Sequence, residues 1–441
     1  MTSTPLEAAV RLTEPTAGNY FVAAYPPFSC WDESGAERLR DRLAAHRPAV
    51  RPPLGFYVHI PFCLTRCHYC HYLSHADRSE DIDRYIEAVV SELRLWTGTR
   101  AMSRLEPDFV YVGGGTPSLL SPERIRRLFE GLRESSAWDH VRELSFECAP
   151  RSVTDAKLRA LGEMGVTRIS LGVQQLDDDV LRRNGRVHRV RDAVRAYDAI
   201  RASGFDVVNL DLMVGLPGET EESFSGSLEK IIAMQPDSVT IYQLEIPLNT
   251  PLFRSIRDGA ETEPADWEIK RSRLARGFAR LEESGYSVRS AYTAVRDPER
   301  HRFVYQDEQY RGADLLGIGA SAFSYLDGIH VQNLCTLDDY LAAVERCELP
   351  ICRGYVLRED ERLVREFVLQ LKLGRVEAEP FALRFRIDPL RRFAEPLRRC
   401  AEAGWLHLDR DAVTLTREGL ACVDRLLPVF YLSEHRSVRY S

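Results

Sequence analysis

Cys63, Cys67 and Cys70 stand in the stretch "CLTRCHYC", three thiols spaced C-x3-C-x2-C directly after the apolar run "GFYVHIPF". Thiolates held this close repel one another and are costly to bury without a cation, so the spacing calls for a soft metal. Zinc would need a fourth ligand, and His68, His71 and His75 are near. Structural zinc usually joins two separated ligand pairs, however, and no second pair follows. A [4Fe–4S] cluster held by three cysteines leaves one iron open to chelate and reduce a small molecule. The spacing favours the cluster.

A second group of residues shares one position in a repeating pattern. "YVGGGTP", Tyr111 to Pro117, ends one β-branched run. Glycines at a strand's carboxyl end allow close approach to a ligand above a barrel. Glu147 ends "LSFE", Gln174 ends "SLGVQ", Asp211 lies in "VNLDLMVGLP" and Glu245 ends "TIYQLE". A charged side chain inside an apolar strand is expensive unless it meets a partner. Four polar groups at equivalent points of successive repeats suggest a ring around one ligand site.

The elements that must hold these residues are legible as alternation. "FYVHI", "DFVYVG", "ELSFE", "RISLGV", "VVNLDLMVG" and "SVTIYQLE" are six candidate strands, separated by segments of helical period. Ile82, Tyr85, Ile86, Val89, Val90 and Leu93 form one apolar helix face, and Ser121-Pro122 and Thr220 read as helix starts. Six strand–helix repeats predict an α/β fold with a parallel sheet curled into a partial (βα)6 TIM-like barrel. Residues 51–340 form this barrel domain. Residues 1–50, with a helix over Glu33 to Ala45, are expected to cross the barrel mouth. Residues 341–441 read as a helical, winged-helix-like domain, with the hairpin "LHLDRDAVTLT" as its wing. That domain is not strongly basic, so it reads as a lid or docking module, not as a nucleic-acid binder.

Net charge of −7 and 28% charged residues advertise neither a nucleic-acid nor an anionic-membrane partner. No apolar run approaches the roughly 20 residues of a membrane span, and "MTSTPLEAAVRLTEPT" lacks secretory-signal character. Ten cysteines, scattered apart from the one cluster, favour a reducing, cytoplasmic setting.

"YVHIPFC" with the cysteine spacing, then "GGGTP", "GVQ", "NLDLMVGLPGET" and "GADLLGIGASAFSY", resemble the radical S-adenosylmethionine (SAM) superfamily. More narrowly they are similar to its oxygen-independent coproporphyrinogen III oxidase-like branch. The resemblance implies that Cys63, Cys67 and Cys70 hold the cluster and that SAM binds its open iron and is cleaved reductively. It places Tyr57, Gly114, Glu147 and Phe323 at a first SAM. Tyr69, Gly115, Thr116, Gln174, Arg186 and Asp211 fall where that branch holds a second SAM.

Three departures shape the expected reaction. Tyr72 stands where the oxidase has a further cysteine. "HRFVYQ", His301 to Gln306, replaces the H-N-x-x-Y-W of haem-trafficking relatives. "NYFVAAYPPFSCW" resembles the extension of class C radical SAM methyltransferases and cyclopropanases. These lead to the expectation of one-carbon transfer, methylation or cyclopropanation, from SAM to an aromatic or heteroaromatic carbon of a natural product. His71, Tyr72 and Tyr242 are candidates for moving the proton. The expected partners are the small-molecule substrate, an electron donor such as flavodoxin or ferredoxin, and a methyltransferase-like protein for ring closure. A porphyrin enzyme or a haem chaperone is the alternative.

Overall fold

The computed structural model describes residues 24–45, 52–248, 250–261, 264–436 and 438. All six expected strands form: β1 (Leu54–Ile60), β2 (Phe109–Gly114), β3 (Glu143–Cys148), β4 (Arg168–Gln174), β5 (Val207–Val214) and β6 (Ser238–Gln243). They pair in chain order, each parallel to the next. Helices return the chain between them, as parallel pairing requires.

The helix Ile82–Thr97 buries the predicted face of Ile82, Tyr85, Ile86, Val89, Val90 and Leu93. Each large apolar side chain buried there contributes about 1.5–3 kcal/mol relative to exposure. Ser121 caps the helix Pro122–Ser135 by accepting from the Arg124 N–H, and Thr220 caps Glu221–Met234 by accepting from the Ser223 N–H.

The six expected strands are half of the sheet, and one further parallel strand joins them. β7 (Ser287–Val288) and β8 (Thr293–Val295) extend the sheet beyond β6, whereas β9 (Asp314–Ile318) lies parallel to β1 on its other side. β10 (Phe323–Leu326), β11 (Ile329–Asn333) and β12 (Ile351–Val356) then add antiparallel strands, giving twelve in all. The sheet therefore runs past residue 340, the boundary drawn from the sequence. β9 is short and lies inside a Gly-rich stretch, so its own residues carry little strand signal.

Asn19 to Ala23 of "NYFVAAYPPFSCW" lie outside the described residues, as do residues 1–18. From Ala24 to Ala45 the segment follows the β10–β12 edge of the sheet. Asp32 bridges Gly354, and the helix Glu33–Ala45 lies against β12. A Cβ on Gly35 would sit 2.1 Å from the Gly354 carbonyl carbon, so that approach requires a glycine. Tyr25 is buried between the sheet and the carboxy-terminal helices: its carbonyl meets His330 Nε2 at 3.1 Å, and its hydroxyl meets His435 Nδ1 at 2.8 Å.

The carboxy-terminal elements form as read: a helix at Glu359–Leu371, a further helix at Ala394–Glu402, and the hairpin β14 (Leu406–Leu408) with β15 (Ala412–Leu415). β13 (Arg375–Glu377) pairs with β15 to complete a three-stranded wing. Among the described residues, no helix is long and apolar enough to cross a membrane.

Candidate active site

Side-chain alternation along the barrel strands builds the site. Tyr57, Tyr111, Glu147, Gln174, Asp211 and Tyr242 are partly open, whereas most of their strand neighbours are buried. These residues face the lumen at the carboxyl half of the barrel, and the alternate positions pack outward on the helices. Below them, Ser145, Ser170, Asn209 and Thr240 form a buried polar layer.

The glycine run is explained by crowding. A Cβ on Gly113 would meet Glu147 Oε1 at 2.8 Å, one on Gly114 the His59 ring at 2.6 Å, and one on Gly115 the Phe62 carbonyl at 2.8 Å. Gly114 also takes φ +114°, which side-chain-bearing residues rarely adopt. The run's amides are committed: Gly114 N–H donates to Glu147 (3.0 Å), Gly115 to the Ile60 carbonyl (2.9 Å) and Thr116 to the Phe62 carbonyl (2.8 Å). Glycine here clamps the cysteine loop to β2, a role beyond the close approach to a ligand expected from the sequence.

Tyr111 donates to Glu147 at 2.6 Å, yet burial raises the Glu147 carboxyl to about 7. Asp211 accepts from Ser170 (3.0 Å) and Asn209 (2.7 Å), and burial raises it to about 6. Tyr57 meets His59 Nδ1 at 3.1 Å while His59 Nε2 meets the Leu73 carbonyl at 3.1 Å. Because Nε2 must donate to that carbonyl, Nδ1 accepts from the phenol. Burial holds His59 down to about 4, which keeps it neutral.

The three cysteines are free thiols on the loop after β1. Thr116 Oγ1 donates to Cys63 Sγ at 3.5 Å, and Arg186 Nη1 donates to Cys67 Sγ at 3.3 Å. Burial, with the neighbouring Cys67, pushes the Cys70 thiol up to about 11. Donors aimed at sulfur, and thiols that resist ionising unaided, suit ligands that a cationic cluster would ionise. Among the described residues, no three His, Cys, Asp or Glu side chains gather as one zinc ion would need. His68 Nδ1 is tied to the Arg183 carbonyl at 3.1 Å, and His75 pairs its backbone with Phe62.

The other expected residues divide. Arg186 reaches the site from beyond β4, and its buried Nε has no hydrogen-bond partner among the described residues, leaving a donor for an anionic ligand. Gln174 sits at φ +62° on a register shift of β4, and a Cβ on Gly172 would lie 3.0 Å from its amide. Tyr69 packs on the Val180–Leu216–Leu244–Leu252 cluster beside Cys67. Phe323 is more peripheral: its ring meets Phe28 at 4.6 Å and Trp31 at 5.8 Å, across β9 from Tyr57. Tyr72 is exposed on the cysteine loop, within the field of the Glu147, Asp211 and Glu245 carboxylates. Tyr72 stacks on His71 at 4.4 Å.

"HRFVYQ" forms the barrel floor. The Arg168 guanidinium covers the Phe303 ring at 4.4 Å, Glu143 accepts from the Val304 and Tyr305 N–H groups, and Tyr305 stacks on Tyr111 at 4.6 Å.

A family model described as "Radical SAM superfamily" matches residues 57–231. Heme chaperone HemW of Bacillus subtilis is 30% identical over 377 residues, covering 82% of this chain and 95% of its own length. Oxygen-independent coproporphyrinogen III oxidase of Pseudomonas aeruginosa is 30% identical over 426 residues, 91% of this chain and 90% of its own. The chain belongs to the radical SAM superfamily, in the branch of these two proteins. Among solved structures, the Escherichia coli radical SAM enzyme coproporphyrinogen III oxidase (HemN) superposes with a TM-score of 0.80 at 26% identity, covering 93% of this chain and 96% of its own. Membership in this superfamily brings a [4Fe–4S] cluster and SAM.

The same matches overturn the expected one-carbon transfer to a natural product. The amino-terminal extension was one of its three supports, yet the oxidases match this chain over nearly its full length. Tyr72 and "HRFVYQ" are local replacements within a scaffold that the oxidases share over about nine tenths of the chain. Neither replacement brings a feature that demands methyl transfer, so the methyltransferase-like partner loses its basis as well.

Proposed function

We propose that this radical SAM protein takes a tetrapyrrole such as coproporphyrinogen III into the barrel mouth and acts on its propionate side chains. The observation that carries the reading is the fit of 93% of the chain to the Escherichia coli oxidase. Cys63, Cys67 and Cys70 would hold the cluster, with Thr116 and Arg186 donating to sulfur. When bound, the cluster supplies the electron that cleaves SAM into methionine and a hydrogen-abstracting 5′-deoxyadenosyl radical.

The chain's own residues orient the ligands. Glu147, fixed by Tyr111 and Gly114, is placed to accept from SAM's hydroxyl or ammonium groups, beside Tyr57 and the neutral His59. Phe323 bounds that side from β10. Arg186 and Asp211, with Tyr69, Gly115, Thr116 and Gln174 around them, would serve a second SAM, Arg186 through its free Nε. Tyr72 and Tyr242 present phenols to the lumen where the substrate would enter.

Coproporphyrinogen III deuterated on its propionate side chains tests the assignment under anaerobic, reducing conditions. One deuterium should arrive in 5′-deoxyadenosine, with loss of carbon dioxide. Deuterium arriving instead from methyl-labelled SAM, or no deoxyadenosine stimulated by the tetrapyrrole, would overturn it.

Haem carriage is the second reading, favoured by the similarity to Heme chaperone HemW. It predicts a Soret shift complete at one equivalent of haem, without tetrapyrrole-dependent deoxyadenosine. Phe303 and Tyr305 pack against Arg168 and Tyr111 but stay half-buried.

A further inference from the structure

We propose that Cys335 and Cys352 form a redox-active dithiol, a site of reversible disulfide formation apart from the cluster cysteines. Cys335 follows β11 and Cys352 lies within β12, where the register shifts between Gln332 and Asn333. That irregularity turns both side chains toward one point: their sulfurs lie 3.6 and 3.5 Å from the same Asn333 carbonyl oxygen.

Their surroundings differ in the way that thiol–disulfide exchange uses. Cys335 is exposed and Cys352 is half-buried behind it. The Cys352 thiol, aided by Arg353, lowers the Cys335 thiol, while Cys352 is pushed up. Cys335, the exposed thiol, is the one an external disulfide can reach, and Cys352 is the resolving thiol.

The chemistry closes with a low-molecular-weight disulfide such as oxidised glutathione. Cys335 sulfur attacks one glutathione sulfur, forming a mixed disulfide and expelling the other glutathione as a thiol. Cys352 then loses its proton and attacks Cys335 sulfur, forming the protein disulfide and releasing the second glutathione thiol. Two protein thiols are oxidised as one glutathione disulfide is reduced to two thiols.

The pair is joined to the site. The Asn333 amide donates to the Gly319 carbonyl at 2.9 Å and to Glu92 at 2.7 Å, and Ser321 N–H donates to the Leu334 carbonyl at 2.8 Å. Oxidation would thus tighten the loop that leads into Phe323.

The test uses the full-length, cluster-loaded protein in glutathione buffers of increasing oxidation, followed by alkylation and peptide mass spectrometry. Exposed Cys347 serves as an internal control. A Cys335–Cys352 linked peptide should appear at roughly tenfold less oxidised glutathione than Cys347 glutathionylation, because the second thiol is intramolecular. Cys352→Ser should trap glutathione on Cys335, whereas Cys335→Ser should leave Cys352 free. Independent glutathionylation of both thiols in the wild type, or alkylation of both to the same extent as Cys347 throughout, would overturn the proposal.

Discussion

The Arg186 guanidinium joins Cys67 to β4: Nη1 donates to the Cys67 sulfur at 3.3 Å and Nη2 to the Gly172 carbonyl at 2.6 Å. A hydrogen bond to a charged group contributes about 1.5–3 kcal/mol, and a lysine's single ammonium cannot reproduce this planar fork. Arg186→Lys should keep near-normal iron, since all three thiols remain, but should slow SAM cleavage by about tenfold or more. Iron content and anaerobic deoxyadenosine formation measure the two effects separately. Unchanged cleavage in that variant would show that the fork does not position the site.

Gly114 and Gly226 make opposite predictions for the same substitution. Gly114→Ala places a Cβ 2.6 Å from the His59 ring on a backbone at φ +114°, so it should lower both stability and reconstituted iron. Gly226, inside the helix Glu221–Met234, has nothing within 4 Å of its Cβ position. Gly226→Ala should stabilise the protein by about 0.5–1 kcal/mol through helix propensity alone. Chemical denaturation of the two variants side by side gives the comparison.

Glu92 organises the loop behind the site. It accepts from Tyr340 and the Gly319 N–H at 2.7 Å each, from Asn333 at 2.7 Å and from Trp96 at 3.2 Å. Glu92→Leu leaves these buried donors without an acceptor, each costing about 1–3 kcal/mol. The variant should fail to fold or lose most of its stability. Glu92→Gln, which retains one acceptor oxygen, should lose markedly less, and equal losses in the two variants would count against this account.

Glu147 makes stability depend on pH. Its folded-state pKa is raised to about 7 by burial, above the ordinary carboxylate range near 4.3. Its protonated form is therefore favoured by folding, so its contribution is complete below about pH 4 and is lost as pH rises through about 7. Glu147→Gln should flatten the fall in stability over that window, by at most about 1.4 kcal/mol per pH unit. Urea unfolding from pH 5 to 8, wild type against variant, reads the slope. Asp211, raised to about 6, adds a decline of the same sign.

Much of this protein was legible in the order of its residues. Six parallel strands and their helices were readable because period-two and helical-period apolar patterns are local, and the Ser121 and Thr220 caps are set by neighbours three residues away. The cysteine spacing likewise stated its chemistry in eight residues. Tertiary structure decided what depends on distant partners. It set β9 beside β1, gave the glycine run its clamp on Ile60 and Phe62, and laid Glu33–Ala45 against β12. Only the fold could bring Cys335 and Cys352 to one carbonyl or place Arg186 on Cys67, 119 positions earlier in the chain. Such contacts arise when the barrel closes its loops over one mouth, and no short stretch of sequence carries that information.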